Sequence, residues 1–571
     1  MTTPEQPRHG MPPNGKYVPY HERFTTALPD RTWPDQLILK APEWCSVDLR
    51  DGNQALRIPM TVEQKLTFYE CLLQVGFQQI EIGYPSASRP EHEFTRILIE
   101  EKRIPEGVKP QVLTATRQDL IEKTFHAIKG GPETIVHVYN STSKLQRDVV
   151  FQMSKDETLQ RAVDAARLVR HLSDTTSTPV RFQYSPESFT GTERDFALDV
   201  CNAVIEAWEA KPGREIIINL PSTVEMSTPN VFADQIEWMS RHLKRRDSVI
   251  LSVHPHNDRG TGVAAAELAL MAGAQRIEGT VFGNGERAGN LDIVILALNL
   301  FTQGVDPGLW LANIPWLREV YERVTSEKVP NRHPYAGDAS PTAYSGTHHV
   351  AIRRCLAARK AEKSHEWNVA YQPIDFTDIG RNPELIEVNS QSGKNSTAHV
   401  LEDKFGVRLP KDLEGDVGAV VQGWCERTGS LAAPEKVWSL FTESFVTPGG
   451  PFGFQTFSRS NVESVDYPVR AELGLTVLGR AVQAEGRGNG PLNAAIHALH
   501  SIGINANILA YETHALASGA DAPAIAFTKL AVNRQTVWGV GIDTDSEVAA
   551  VKAIIAAANR ASSQESTPPR T

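Results

Sequence analysis

The chain has 571 residues, a hydrophobic fraction of 41% and a formal net charge of −10. This length is too great for one hydrophobic core, so we expect two or three domains. The mild acidity and the lack of a long basic block disfavour nucleic acid as a partner, and no apolar run approaches the ~20 residues that a membrane span needs.

The cysteines and the N-terminal segment indicate the compartment. The five cysteines are scattered along the chain and none forms a C-x-x-C pair, which disfavours a disulfide framework and a thiolate zinc site. The N-terminus has neither the apolar core of a signal peptide nor the composition of a transit peptide. We therefore expect a cytoplasmic protein.

Strand and helix signals alternate from residue 44 to residue 282. Eight short β-rich runs predict strands at Trp44–Leu49, Gln79–Gly83, Gln111–Ala115, Thr134–Tyr139, Val180–Tyr184, Glu215–Leu220, Ser248–His254 and Arg276–Val281. Helical periodicity follows most of them, as at Val62–Leu73, Asp156–Leu172, Glu193–Trp208, Pro229–Leu243 and Gly260–Met271. Such alternation implies parallel crossover units, and eight units fit a closed (β/α)8 barrel, for which ~250 residues is typical.

An open doubly wound sheet is the main alternative to the barrel. That fold places a glycine-rich phosphate loop just after its first strand. Here the first predicted strand leads instead into DLRDG at residues 48–52, which contains two acids and an arginine. The sequence therefore favours the barrel.

Changes in composition suggest the domain boundaries. We predict a loose tail over residues 1–35, the α/β barrel over 36–328, a mostly helical connecting subdomain over 329–430, an α+β domain over 431–560 and a second tail over 561–571. Other predicted elements are a helix at Trp316–Thr325 and strand or helix signals at Glu463–Leu478, Pro491–Leu499, Ile504–Tyr511 and Ala524–Val532.

Polar side chains lie at nearly every predicted strand end, where the active sites of such barrels are found. They include Arg50, Asp51, Glu81, His137, Tyr139, Glu187, Thr223, His254, His256 and Asn290. One such residue would mean little, whereas an acid, histidine or arginine at successive ends indicates a site.

A divalent-metal site is the first prediction from these residues. His254 and His256 are two apart on an extended segment, so both imidazoles project to the same side. With Asp51 they offer two nitrogens and a carboxylate, and Asn290 could add a carbonyl oxygen. Mixed nitrogen and oxygen ligands suit Mg²⁺, Mn²⁺ or Zn²⁺. The alternative is a chance H-x-H pair with one exposed and one packed ring.

Arg50 and Glu187 each allow two interpretations. Arg50 is costly to bury without an anionic partner, so it either binds a substrate carboxylate or developing enolate, or forms a salt bridge with an acid such as Glu81. Glu187 either contributes to the site or begins a helix, because the Ser and Thr residues around it are typical caps.

Six motifs closely resemble the longer form of the 2-isopropylmalate synthase family, over roughly residues 30–560. They are SVDLRDGNQAL, EIGYPSAS, YSPESFTGTE, NLPSTVEMSTPN, HPHNDRGTGVAAAELALMAGAQRIEGTVFGNGERAGN and YSGTHH. The resemblance implies a metal-dependent Claisen condensation of acetyl-CoA with 2-oxoisovalerate. Thioester hydrolysis then yields 2-isopropylmalate and CoA for leucine synthesis.

The resemblance also implies residue roles and partners. Asp51, His254 and His256 are expected to bind the metal, with Asn290 nearby or coordinating. Arg50 resembles the family's catalytic arginine, and the expected substrate-site residues are Glu187, Thr223, His137, Glu81 and Tyr139. In the connecting subdomain, His348 is expected to be catalytic, and Tyr371 resembles a tyrosine linked to catalysis and regulation. His348 is similar to a histidine that enters the partner protomer's site, which implies a homodimer. The base is expected to be His348 or Glu187. Mg²⁺ is the first choice of metal, with K⁺ as a candidate activator.

The C-terminal segments GRGNGPLNAAIHALH and YETHALASGADAPAIAF resemble the family's leucine-binding regulatory domain. Leu492, Tyr511 and Ala515 are then candidates for the inhibitor pocket, and leucine inhibition would be allosteric. Without the resemblance, the first segment is a glycine-rich turn before an amphipathic helix.

Three other functions fit parts of the pattern. Citramalate or homocitrate synthase would use the same metal site with another oxo acid. A lyase like the hydroxymethylglutaryl-CoA lyases would cleave the C–C bond but would not need residues 431–560. A leucine sensor with an inactive barrel is disfavoured by the intact Asp51, His254 and His256.

Overall fold

The computed structural model describes residues 16–343, 345–381, 388, 394–519, 521–532 and 535–565. The chain separates into two compact units, Met1–Ser340 with Phe376–Arg381 and Pro341–Asp375 with Asn382–Thr571. Within the described ranges, no helix is both long and apolar enough to cross a membrane.

Eight parallel strands close into a barrel in the first unit, in the order of the sequence, with β1 paired to β8. The strands are β1 Glu43–Ser46, β2 Gln79–Gly83, β3 Lys109–Ala115, β4 Thr134–Ser141, β5 Val180–Glu187, β6 Ile216–Ser222, β7 Val249–Pro255 and β8 Arg276–Gly279. The closed barrel confirms the predicted fold class.

The helices of this unit begin and end at recognisable signals. They are α1 Tyr20–Arg23, α2 Val62–Val75, α3 Arg89–Glu100, α4 Gln118–Ile128, α5 Lys155–Thr175, α6 Arg194–Trp208, α7 Pro229–His242, α8 Gly262–Met271, α9 Ile293–Thr302 and α10 Ile314–Thr325. Capping boxes at Thr61 and Ser154 satisfy the first amides of α2 and α5. Gly76 ends α2 in the left-handed conformation, φ 103°.

Two barrel strands end earlier than the sequence predicts. β1 stops at Ser46 because Asp48–Gly52 forms a helical turn, so Arg50 and Asp51 follow the strand rather than belong to it. β8 stops at Gly279 because the backbone bends at Phe282, where φ is +58°. Both bends bring the chain over the carboxyl end of the barrel.

The structure also corrects the extents of the tails. Leu28 and Trp33 are buried, and the indole Nε1 of Trp33 donates to Asp234 Oδ1 of α7 at 2.8 Å. The N-terminal segment is therefore anchored well before residue 35. At the other end, the last helix extends to Glu565, and Ala561 is buried. Residues 1–15 and 566–571 of the predicted tails lie outside the described residues.

The second unit begins with helices and continues with two antiparallel three-stranded sheets, in the orders β11-β10-β9 and β12-β13-β14. Its elements are α11 Gly346–Glu362, α12 Lys394–Phe405, α13 Glu414–Thr428, α14 Pro434–Phe441, β9 Phe452–Asn461, β10 Val469–Val477, β11 Arg480–Gly488, α15 Pro491–Ser501, β12 Ala506–Ala515, β13 Ala524–Val532, β14 Gln535–Asp543 and α16 Ser546–Glu565. The sequence patterns missed β9, β11 and β14, each of which is an edge strand of its sheet.

Candidate active site

Asp51, His254 and His256 meet at the carboxyl end of the barrel. Each offers one ligand atom, and these atoms all lie within 4.8 Å of one another. Oδ2 of Asp51 is 3.6 Å from Nε2 of His254 and 3.9 Å from Nε2 of His256. All three side chains are buried, so the barrel brings together the donor set that the sequence predicted for a metal.

The electrostatics of this cluster fit a cation. Burial alone would lower the pKa of His254, but the nearby carboxylates of Asp51 and Glu278 outweigh burial and raise the pKa to about 9. Burial and the charge of His254 lower the pKa of His256 to about 4. Burial would raise the pKa of Asp51, whereas Arg50 and His254 hold it far below its ordinary value. A histidine must lose its proton before it can bind a metal. A divalent cation at this cluster would therefore take the place of the proton held on His254.

Asn290 completes the cluster. Its Nδ2 donates to Asp51 Oδ2 at 2.8 Å, and its Oδ1 is 3.1 Å from His254 Nε2. The preceding loop turns tightly at Gly289, where φ is +105° and an added Cβ would collide with the carbonyl oxygen of Gly283. This backbone conformation explains why a glycine stands near the end of the GNGERAGN motif.

Arg50 is held by two carboxylates. It pairs with Asp51, and its Nε donates to Glu81 Oε2 at 2.6 Å. The salt bridge with Glu81, the alternative interpretation of Arg50, is therefore present. Arg50 also lines the cavity described below, and its role towards a substrate stays a prediction.

A cavity of about 230 Å³ opens beside the cluster of Asp51, His254 and His256. Of the predicted substrate-site residues, it is lined by His137, Tyr139, Glu187 and Thr223. Ser141 donates a short hydrogen bond to Glu187, and Thr223 Oγ1 accepts from the backbone N–H of Ser188 at 2.9 Å. The cavity wall also includes Leu113 and Pro221, which supply apolar surface.

The prediction that Glu81 is a substrate-site residue is wrong. It is fully buried and lies beneath the cavity rather than in its wall, so it does not contact a substrate there. Its Oε1 is 2.8 Å from Nδ1 of His137, while its Oε2 accepts from Arg50. Glu81 therefore orients two residues that do line the cavity.

The sequence patterns did not reveal a buried polar network beneath the candidate metal ligands. Glu278 Oε2 is 2.9 Å from Nδ1 of His254, and Glu278 Oε1 accepts from Arg276 at 2.9 Å and from Gln111 at 2.9 Å. Gln183 and Asn219 also donate to this carboxylate. Glu278 and Arg276 alternate within the four-residue strand β8, and two charges in so short a barrel strand were a usable signal.

Glu286 and Arg287 were also missed as wall residues, although both lie in the GNGERAGN motif. Arg287 has a φ of +60°, and its Nε donates to Asp258 Oδ1 at 2.7 Å. Its contact with the backbone of Thr223 joins two loops of the cavity rim.

His348 and Tyr371 belong to the second compact unit. Their rings stack with centroids 3.8 Å apart, and Tyr371 has a φ of +64° with 62% of its surface exposed. The two subdomain residues predicted for catalysis are thus partners of each other. Their roles stay predictions.

The candidate regulatory residues also lie in the second unit. Tyr511 and Ala515 have exposed side chains four positions apart on β12. Leu492 lies in the first turn of α15 and packs against a buried cluster that includes Ala526 and Ala549. A common leucine pocket for these three residues stays a prediction.

Three family models match successive parts of the chain. The HMGL-like model matches residues 41–320, the alpha-isopropylmalate synthase post-catalytic domain-like model matches 339–402, and the LeuA allosteric (dimerisation) domain model matches 432–562. The chain is 46% identical over 567 residues to a 2-isopropylmalate synthase of Kocuria rhizophila, covering 97% of each protein. It is 45% identical over 570 residues to that of Pseudarthrobacter chlorophenolicus, covering 97% of this chain and 98% of the relative. It is 48% identical over 558 residues to that of Rhodospirillum rubrum, covering 96% and 99%.

Proposed function

The chain belongs to the 2-isopropylmalate synthase family, and we propose that it condenses acetyl-CoA with 2-oxoisovalerate to form 2-isopropylmalate and CoA. The observation that carries this proposal is the cluster of Asp51, His254 and His256 beside a cavity at the carboxyl end of the barrel. The product places the reaction in leucine biosynthesis.

The metal ligands and Arg50 would act on the oxo acid. Asp51, His254 and His256 would hold a divalent cation, with Asn290 beside them; Mg²⁺ is the first choice, Mn²⁺ and Zn²⁺ are alternatives, and K⁺ is a candidate activator. When bound, the cation supplies Lewis acidity that polarises the ketone carbonyl. Arg50 would donate hydrogen bonds to negative charge that develops on an oxygen, since its guanidinium is preorganised by Glu81 and Asp51.

The remaining steps need a base and a water molecule. Glu187, held by Ser141 in the cavity wall, and His348 are the candidates for removing a proton from the acetyl methyl group. His137 and Thr223 would position the oxo acid, and Leu113 and Pro221 provide an apolar wall for its isopropyl group. Hydrolysis of the thioester then makes the reaction irreversible.

Metal-dependent release of CoA tests this function. We expect CoA release from acetyl-CoA to require 2-oxoisovalerate, to stop with EDTA and to return with excess Mg²⁺. The reason is that the cation bound by Asp51, His254 and His256 would supply the Lewis acidity for the reaction. A thiol reagent measures the release across a panel of 2-oxo acids. Preference for pyruvate or 2-oxoglutarate would support citramalate or homocitrate synthase instead. Failure with every oxo acid would favour the lyase or the sensor.

Leucine inhibition through the second unit is part of the same proposal, together with a homodimer. We expect Tyr511→Ala to raise the leucine concentration for half-inhibition about tenfold, since allosteric coupling is typically 1–3 kcal/mol. Inhibition curves measure this shift. Tyr467→Ala is the matched control, because Tyr467 is another exposed tyrosine of this unit, 48% exposed. Equal curves for the two variants would remove Tyr511 from the leucine site, and light scattering tests the dimer.

A further inference from the structure

A second cavity, of about 430 Å³, lies in the first unit between the loop after β2 and helices α3 and α4. Its polar lining consists of Ser86, Ser88, Arg89, His92, Lys123 and His126. We call it the Arg89–Lys123 cavity. Its lining contains two permanent cations, two histidines and two hydroxyls, and no carboxylate.

The positive charge of this cavity is largely uncompensated. Lys123 has no ion-pair partner among the described residues, and Arg89 pairs through its Nε with Glu93, a neighbour on the exposed face of α3, at 2.6 Å. The rings of His92 and His126 stand 6.1 Å apart, centroid to centroid. Lysine and arginine side chains with adjacent hydroxyl donors are the groups that bind phosphate oxygens.

The cavity lies on the same end of the barrel as the catalytic cavity. Pro85, in its lining, follows directly after Tyr84. The Tyr84 hydroxyl accepts from the backbone N–H of Ala115 at 3.2 Å, and the same side chain lies close to Tyr139, which lines the catalytic cavity. A single tyrosine thus joins the walls of the two cavities.

We propose that the Arg89–Lys123 cavity binds the phosphate groups at the nucleotide end of acetyl-CoA. This inference rests on the proposed function, which requires a substrate with an anionic nucleotide end and a reactive thioester at the end of a long, flexible arm. The cationic cavity takes the phosphates, and the arm passes Tyr84 to place the thioester beside Glu187 and Arg50. Binding energy from the remote end then positions the acetyl group.

A double variant tests the proposal kinetically. Arg89→Gln with Lys123→Gln is expected to raise the KM for acetyl-CoA about tenfold, because each exposed charge pair contributes roughly a two- to fivefold change in affinity. The KM for the 2-oxo acid stays at its wild-type value. The effect shrinks at high salt, which screens exposed charges, and disappears with acetyl-pantetheine, which has the thioester but no phosphate.

The matched control removes two other positive charges that lie just beyond the same helices. Lys102 follows the end of α3, Lys129 follows the end of α4, and both are exposed and outside the cavity. Lys102→Gln with Lys129→Gln is expected to leave the KM for acetyl-CoA unchanged. Equal KM values for the two double variants, or an equal effect on acetyl-pantetheine, would overturn the proposal.

Calorimetry with adenosine 3′,5′-bisphosphate separates this proposal from the proposed function. Wild-type protein is expected to bind this probe about tenfold more tightly than the Arg89/Lys123 double variant. If this difference is found but the protein releases no CoA from acetyl-CoA, the proposed synthase function is refuted and the phosphate-binding role of the cavity is supported. Equal binding of the probe to the wild type and the double variant would refute the phosphate-binding role of the cavity. Equal affinity for inorganic phosphate and the nucleotide would do the same, and neither result would affect the proposed synthase function.

Discussion

Asp51→Ala is expected to lose tight metal binding and to lower kcat by about a thousandfold. The carboxylate of Asp51 is the point that both histidines face, at 3.6 Å and 3.9 Å. Lewis-acid stabilisation is worth several kcal/mol, and each 1.36 kcal/mol is a factor of ten in rate. Calorimetric titration with Mg²⁺ or Mn²⁺, followed by the CoA-release assay, measures both effects.

Two further variants make this result interpretable. Asp51→Asn keeps the size of the side chain but removes the charge that balances Arg50, so it should also lose the metal. Asp119→Ala removes an exposed carboxylate that pairs with Arg117, and it should match the wild type in metal binding and kcat. Wild-type turnover by Asp51→Ala would exclude this carboxylate from the reaction.

Glu278→Ala is expected to lower the free energy of unfolding by about 3–5 kcal/mol, the usual effect of removing one partner of a buried ion pair. Arg276 and Glu278 are both fully buried, and their charged groups are 2.9 Å apart. The variant would leave the Arg276 guanidinium without its carboxylate in the centre of the barrel. Urea denaturation followed by circular dichroism measures the loss.

The same variant is expected to weaken metal binding about 10- to 100-fold, the usual effect of removing a group that orients a metal-binding histidine. Glu278 Oε2 lies 2.9 Å from Nδ1 of His254 and so directs Nε2 towards Asp51. Glu278→Gln retains an acceptor for His254 and should lose less affinity than Glu278→Ala.

The double variant Arg276→Met with Glu278→Leu separates the two effects. Replacing both partners of a buried pair with apolar residues is often neutral for stability, so this variant should unfold near the wild-type urea concentration and still bind metal weakly. If Glu278→Ala matches the wild type in both stability and metal affinity, Glu278 neither stabilises the barrel nor orients His254.

The alternating strands and helices made the barrel predictable from local sequence. Each of the eight strands lies where a short β-rich run was found, and the H-x-H spacing at the end of β7 brings His254 and His256 to one side. These features depend on side-chain periodicity, which is a property of neighbouring residues in the chain. The anchoring of the N-terminal segment was missed because Trp33 finds its partner, Asp234, on the distant helix α7.

The sequence can show which side of a strand a charged residue occupies. It cannot show whether that residue contacts a substrate or another group of the protein. Glu81 was predicted to contact a substrate, and the structure buries it against Arg50 and His137. Glu278 sits in the four-residue strand β8 and was overlooked, yet it supports His254 from beneath. The difference depends on which residues of other strands complete the layer around each carboxylate.

The sequence by itself determined the barrel, the residue types of the candidate metal site and the family of the chain. Only the tertiary structure decided which polar residues face the cavity and which support them from below. The physical reason is that barrel closure pairs β1 with β8 and brings Asp51, His254 and Glu278 together from distant positions. The cost of burying their charges is offset only by partners that closure supplies, and no local pattern records those partners.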